Sequence, residues 1–233
     1  MRTVILAGGL GTRLRPLTFS IPKPLLPVGE KPILELILLR LKSFGFYDFV
    51  FSIGYKGELI ETYFQTGERF GVQIRYTREE EPCGTAGPLS LVARLFPFSP
   101  GESFLLMNGD ILTELDFHRF IEFHESRGFE MTVGVKEIER HLPFGVLQIA
   151  NGRVLGIVEK PATRYPISAG IYLLRESVLS AIPSNTFFTI PDLVNRLVAD
   201  SRPVGSYLIE EYWLALEHQD DMEAARSHVQ GWP

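Results

Sequence analysis

The stretch from Val4 to Pro32, VILAGGLGTRLRPLTFSIPKPLLPVGEKP, constrains this chain more than any other. An apolar strand (Val4, Ile5, Leu6) runs into Ala7-Gly8-Gly9-Leu10-Gly11-Thr12-Arg13. A loop follows that carries Arg15, Lys23 and the prolines Pro16, Pro22, Pro24 and Pro27. Glycine lets a backbone take positive φ and lets a ligand approach main-chain N–H groups, which is the chemistry of a phosphate cradle. Arg13 offers a fork for phosphate oxygens and Lys23 a compact point charge. The prolines restrict the loop, so the cations are held in place. A dinucleotide fingerprint does not fit, because Gly9-Leu10-Gly11 is followed by Thr12-Arg13-Leu14, and the G-K-[ST] of a Walker A loop is absent.

The rest of the composition fits a soluble globular chain. At 233 residues, with 45% hydrophobic and 22% charged residues, one large α/β domain with a substantial core is expected. We read residues 1–233 as a single domain, with 1–128 the nucleotide-binding half and 129–233 the half for the second substrate. The net charge of −5 argues against a nucleic-acid binder and leaves room for a local basic pocket. One cysteine, Cys83, permits neither an internal disulfide nor a cysteine-based zinc site. With no charged-then-apolar leader and no apolar run of membrane length, a cytoplasmic location without membrane contact is expected. Homo-oligomerisation is left open.

The first half alternates strand and helix. Residues 32–44 are apolar at helical spacing and stop at Gly45. Residues 48–53 read as a buried strand, 58–65 as a short helix, 72–77 as a strand, 84–95 as a helix, 103–107 as a strand and 117–126 as a helix. Strands separated by helices of about ten residues imply crossovers, hence a doubly wound, mostly parallel, Rossmann-like sheet. The second half adds short strands at 131–136, 146–149, 154–159, 170–174 and 203–208, expected to form a small mixed β subregion. A helix should begin near Thr189, where Thr189 and Asp192 have capping-box spacing, and another should span 220–229. Ligands of such sheets sit beyond the carboxyl ends of the strands, so Gly8–Arg13 and Asp110 should face one cleft.

Asn108-Gly109-Asp110 ends an apolar strand. Alone it reads equally as a turn, but beside a phosphate loop it suits a magnesium ligand, since Mg²⁺ takes one or two carboxylates plus substrate phosphates. In Glu79-Glu80-Glu81-Pro82-Cys83-Gly84-Thr85-Ala86-Gly87, the first two acids read as a solvated turn, whereas Gly84, Thr85 and Gly87 let backbone pass close to a planar ligand. His118 and His124 fall on one amphipathic helix and are expected at the surface. No Ser/His/Asp or Cys/His grouping argues for covalent catalysis.

LAGGLGTRLRPLT followed by PKPLLPVGEKPILE resembles the signature of the sugar-1-phosphate nucleotidylyltransferases, such as the mannose-1-phosphate guanylyltransferases. The resemblance covers nearly the whole chain. It implies a GT-A-like fold, and an activity that makes an NDP-sugar and pyrophosphate from a nucleoside triphosphate and a sugar-1-phosphate. It implies nucleotide contacts at Leu6, Ala7, Gly8, Gly9, Gly11, Thr12, Glu81, Gly84 and Thr85. Catalytic roles fall to Arg13, Lys23 and Asp110, with Mg²⁺ on Asp110. Sugar-phosphate contacts fall to Gly145, Glu159, Lys160, Ser168 and Gly170; Ser168 stands where members often have asparagine. The GTAG segment is similar to that of guanylyl-transferring members, which favours GTP and a mannose- or heptose-1-phosphate-like sugar. Cys83 stands there in place of the usual leucine.

One departure bears on catalysis. The family pattern continues Trp-Leu/Met-Asp-Ile-Gly, and here Tyr212-Trp213-Leu214-Ala215-Leu216-Glu217 puts Ala215 at the second metal-binding aspartate. Three readings follow. Glu217 or Glu210 supplies the missing oxygen; or nucleotide phosphates and water suffice at reduced rate; or the protein is a catalytically impaired sugar-nucleotide-binding regulator.

Overall fold

A computed structural model of the chain describes residues 1–79, 81–184 and 186–232. Its strands are Arg2–Ala7 (β1), Pro27–Val28 (β2), Lys31–Pro32 (β3), Asp48–Ile53 (β4), Gln73–Arg78 (β5), Ser103–Asn108 (β6), Ile111–Thr113 (β7), Met131–His141 (β8), Val146–Ala150 (β9), Arg153–Val158 (β10), Ala162–Arg175 (β11), Val204–Leu208 (β12) and Trp213–Ala215 (β13). Its helices are Ile33–Ser43 (α1), Gly57–Phe64 (α2), Gly87–Leu95 (α3), Phe117–Arg127 (α4), Ile190–Ala199 (α5) and Gln219–His228 (α6).

The main sheet has seven strands among the described residues, in the order β12-β8-β11-β6-β1-β4-β5. The pairs β6–β1, β1–β4, β4–β5 and β12–β8 are parallel, and β11 runs antiparallel to both its neighbours. Side chains alternate across a strand, so each apolar run feeds two cores. Phe49 and Phe51 enter one core and Val50 the other; Ile5 and Val4 divide the same way, as do Leu105 and Leu106. The first core receives α1, α2, α4 and α6, the second α3 and α5. This is the expected doubly wound, mostly parallel architecture. Among the described residues no helix is long and apolar enough to cross a membrane.

Three features differ from the sequence reading. β8 and β11 are much longer than 131–136 and 170–174, because they pair with each other beyond the sheet from Ala162↔His141 to Ser168↔Val135. The polar residues there, such as Glu137, Glu139 and Arg164, bury no face and give no periodic signal. At the tip of this arm β9 and β10 form a separate hairpin whose apolar residues, Leu147, Ile149 and Leu155 among them, are exposed. The third difference is His124. It is fully buried, because α4 packs its Phe117, Phe120 and His124 face on the sheet. Its Nδ1 lies 2.8 Å from Thr132 Oγ1 and its Nε2 3.5 Å from Ser103 Oγ. His118 is exposed, as expected.

Burial holds the His124 ring below the ordinary histidine value of 6.5; nearby Glu125 opposes that shift and Arg175 adds to it. The stability this contributes is complete above pH 6.5. It is lost as pH falls toward the depressed native value, because the unfolded chain takes up a proton that the native ring resists. The urea midpoint should therefore drop between pH 7.5 and pH 5.5, by at most about 1.4 kcal/mol of stability per pH unit from this residue. His124→Gln should flatten that dependence. An equal slope in the variant would show that the buried ring titrates normally.

Candidate active site

The carboxyl ends of β1, β4 and β6 lie side by side, and the strand order reverses at β1, the place where α/β sheets open a crevice. A cleft of about 590 Å³ sits there, lined by Leu6, Ala7, Gly8 and Gly9 at the end of β1, Gly54 and Tyr55 after β4, and Asn108, Gly109 and Asp110 at the end of β6. Its floor is backbone against backbone. The Gly109 N–H donates to the Leu6 carbonyl at 2.8 Å and the Tyr55 N–H to the Gly8 carbonyl at 3.3 Å. A Cβ on Gly109 would lie 2.8 Å from the Leu6 carbonyl oxygen, and one on Gly54 would lie 2.9 Å from that of Gly8. Among the described residues, no N–H from Gly9 to Thr12 donates to a protein acceptor. Donors left without a protein partner are what a cradle requires.

A polar recess of about 250 Å³ adjoins the cleft, lined by Gly11, Thr12, Arg13, Leu14, Lys23, Asp110 and Glu217. Lys23 borders both spaces. Short turns hold the cations: Thr12–Leu14 after Gly11, and Lys23–Leu25 after the extended Pro22. The Thr18 hydroxyl donates to the Gly11 carbonyl at 2.9 Å and closes the first turn. Lys23 Nζ pairs with Asp110 Oδ2, and Arg13 Nη1 pairs with Glu217 Oε2 at 2.6 Å. Asp110 and Glu217 are tied together by backbone. β13 pairs with β7, setting Ala215 opposite Ile111, and the Leu216 N–H donates to the Asp110 carbonyl at 3.0 Å. Ala215, on this ladder, presents only a methyl group.

The cleft wall formed by 79–88 corrects one expectation. Glu79 is not a solvated turn residue: it lines the cleft. Its Oε2 accepts the Cys83 N–H at 2.9 Å and its Oε1 lies 3.5 Å from the Ser52 hydroxyl. Burial raises its pKa above the ordinary carboxylate value, and those two hydrogen bonds oppose the shift. Burial also pushes the Cys83 thiol up, helped by the charges of Glu79 and Glu81. Glu80, read with Glu79, lies outside the described residues. Glu81 is exposed and is not among the residues lining the cleft. Gly84 and Thr85 do line it. The Thr85 hydroxyl accepts the Ile190 N–H at 2.8 Å and so fixes the start of α5, whose Thr189–Asp192 capping box is present. Tyr55 and Phe187 also line the cleft, and neither was found from sequence.

The nucleotidyl transferase family model matches residues 2–230. The chain belongs to that family. A probable mannose-1-phosphate guanylyltransferase of Oryza sativa subsp. japonica is 34% identical over 226 residues, covering 95% of this chain and 62% of that protein. A UTP–glucose-1-phosphate uridylyltransferase of Synechocystis is 33% identical over 231 residues, covering 92% of this chain and 59% of that protein. The chain therefore spans about three-fifths of the length of the curated relatives it matches. Among solved structures, HddC from Yersinia pseudotuberculosis complexed with GMP-PN superposes with a TM-score of 0.76 at 25% identity, covering 98% of this chain and 99% of that one.

The residues that the family resemblance assigns to the sugar phosphate are not among the described residues lining these two spaces. Gly145 and Glu159 adjoin at the base of the β9–β10 hairpin, where a Cβ on Gly145 would lie 3.0 Å from Glu159 Oε2. Lys160 follows β10 with φ of 45°. The Ser168 hydroxyl is 2.7 Å from Tyr172 Oη. Gly170 packs on Asn108, its missing Cβ 2.7 Å from Asn108 Nδ2. Of the five, Gly170 alone reaches a cleft-lining residue through these contacts, and none is itself a described lining residue of the cleft or recess.

Gly84 is the position in the wall least able to change. Its φ is +82°, and a Cβ would fall 2.5 Å from the Phe188 carbonyl oxygen, which already accepts the Ala86 and Gly87 N–H groups. Gly84→Ala should cost roughly 1–3 kcal/mol of stability in urea unfolding. An unchanged midpoint would show that the segment yields freely.

Proposed function

We propose that the chain is a nucleotidylyltransferase that joins a sugar-1-phosphate to a nucleoside triphosphate, with GTP favoured and a mannose- or heptose-1-phosphate-like sugar. The observation that carries this reading is the meeting of the unpaired Gly9–Thr12 N–H groups, Lys23, Arg13 and Asp110 at the ends of β1 and β6. In the reaction, an oxygen of the sugar phosphate attacks the α-phosphorus, a new P–O bond forms, the bond to the bridging oxygen breaks, and pyrophosphate leaves with the electron pair. Such displacements depend on positioning and charge stabilisation. The backbone donors of 8–12 would hold the triphosphate. Lys23 would face the α-phosphate, and Arg13 would neutralise the leaving pyrophosphate. Glu159, Lys160, Gly145 and Ser168 of the arm and its hairpin, with Gly170 beside Asn108, remain the proposed sugar-phosphate contacts.

The reading implies a divalent cation, Mg²⁺ by family resemblance, and the donor set fits one. Asp110 and Glu217 both border the recess with hard oxygen ligands. Among the described residues no three His, Cys, Asp or Glu residues gather to hold a metal on protein ligands alone. Magnesium is commonly held this way, by one or two carboxylates with phosphate oxygens and water. When bound, it would lower the negative charge on the phosphates. Asp110 and Glu217 would hold it, with Glu217 taking the place that Ala215 leaves.

Glu79 supports the choice of base. Its Oε1 is 3.4 Å from where a Gly8 Cβ would be, at the floor of the cleft, and has only the long 3.5 Å bond from the Ser52 hydroxyl, while Oε2 is engaged by Cys83. A carboxylate accepts hydrogen bonds only, so it suits an edge that presents N–H donors, as guanine does. Phe187, 65% exposed and lining the same cleft, offers a face for stacking.

Two outcomes test this. Incubation with GTP, Mg²⁺ and mannose-1-phosphate should release pyrophosphate, and Asp110→Asn should slow that release roughly 100-fold or more. Release with no triphosphate and sugar pair, together with tight binding of the NDP-sugar, would instead establish the regulatory reading that Ala215 motivates. Glu79→Gln should lower kcat/KM for GTP roughly 10-fold or more and shift preference toward UTP, because a carboxamide offers one donor and one acceptor. An unchanged GTP-to-UTP ratio would remove Glu79 from base selection.

A further inference from the structure

The recess holds two cations and two carboxylates, and each cation already has an acidic partner: Lys23 with Asp110, Arg13 with Glu217. The second pair is the unusual one, because Glu217 comes from the far end of the chain and is firmly mounted. Its N–H donates to the Ala215 carbonyl at 3.0 Å and to Asp221 Oδ2 at 2.8 Å, and the His218 N–H donates to the same oxygen at 2.6 Å. The stem of Glu217 is thus fixed at the start of α6, and its carboxylate sits where it meets the Arg13 fork. A guanidinium matches a carboxylate and a phosphate with the same donors.

We infer that Glu217 is a positioning residue that occupies Arg13 as an internal stand-in for phosphate and hands it over when the triphosphate arrives. This deepens the proposed function and rests on its assignment of the recess to the phosphates. Exposure makes the exchange feasible. The side chains of Arg13 and Glu217 are 59% and 46% exposed, so the pair is weak enough to open, as a buried pair would not be. The same contact keeps the long Arg13 side chain over the recess, so less conformational freedom is lost when phosphate binds. Glu217 therefore lowers affinity for a bare polyphosphate while holding the arginine ready. Its released carboxylate is then free beside Asp110, which makes phosphate binding without a divalent cation the costlier route.

Calorimetric titration with inorganic tripolyphosphate in EDTA at low salt tests this without turnover. E217Q should bind about five-fold tighter than the unsubstituted protein, the size expected for removal of an exposed pair. E223Q, at an exposed acid of α6 outside the recess, should bind like the unsubstituted protein. In an R13M background the E217Q substitution should give no gain, since there is no guanidinium left to free. Equal affinity of E217Q and the unsubstituted protein would overturn the inference. So would the same gain with and without Arg13, which would mean simple repulsion of the anion by Glu217. If the unsubstituted protein binds neither tripolyphosphate nor GTP with Mg²⁺, the phosphate assignment itself fails and the inference falls with it. Intact GTP binding with no E217Q gain refutes the stand-in role alone.

Discussion

The cleft depends on how closely the backbone at the end of β1 can approach its neighbours. Leu6 and Gly8 offer carbonyls to Gly109 and Tyr55, and at Gly54 and Gly109 a Cβ would collide with those same carbonyls. Strand ends carrying side chains there would splay, and the β1 loop would lose its position relative to Asp110. Because the neighbours supply what β1 needs, the N–H groups of the following loop stay unspent. The cradle is therefore a consequence of tight strand packing as much as of loop sequence.

A second constraint ties the end of the chain to this floor. β13 pairs with β7 immediately after Asp110, and α6 begins with a carboxylate, Asp221, that accepts the N–H groups of both Glu217 and His218. Behind it, His228 stacks on Tyr212 with ring centroids 3.4 Å apart and lies 3.1 Å from Glu114. Residues more than two hundred positions from the glycine loop thus set one wall of the polar recess. The main sheet is likewise shared, with β8, β11 and β12 of the second half continuing from β6.

What could be read in advance follows from the range of the interactions. The β1 loop, the helical period of 33–43 and the Thr189–Asp192 cap are local, and each appears where the residues imply it. Residues defined by distant partners were harder. His124 looked like a surface residue because its partners, Ser103 on β6 and Thr132 on β8, are distant from the helix in sequence or lie beyond its end. Glu79 was hidden in an acidic triplet, though it directly follows β5 as Gly54 follows β4 and Gly109 follows β6, and that shared placement was a usable signal. Phe187 had none, since the contacts of Gly84 and Thr85 with residues 188 and 190 are what bring its loop to the cleft. The β8–β11 arm was legible only in part because polar strands paired outside the sheet carry no alternation to detect.

On the proposed function, charge balance in the recess explains how an acidic chain would serve an acidic ligand. The protein carries a net charge of −5, and the recess places one carboxylate against each cation, so its own side chains give no surplus of positive charge. Attraction for a triphosphate must then come from two other sources. One is the run of unpaired N–H groups at Gly9–Thr12, whose dipoles act at short range and are little affected by the surrounding acids. The other, on the proposed function, is a divalent cation arriving with the nucleotide. Phosphates take the cations as partners, and the carboxylates face the metal. Every charge in the recess changes partner and none is left bare, so the exchange avoids the large penalty for stranding an ion away from water. A recess of surplus lysines and arginines would hold phosphate without metal; paired charges make the two ligands depend on each other.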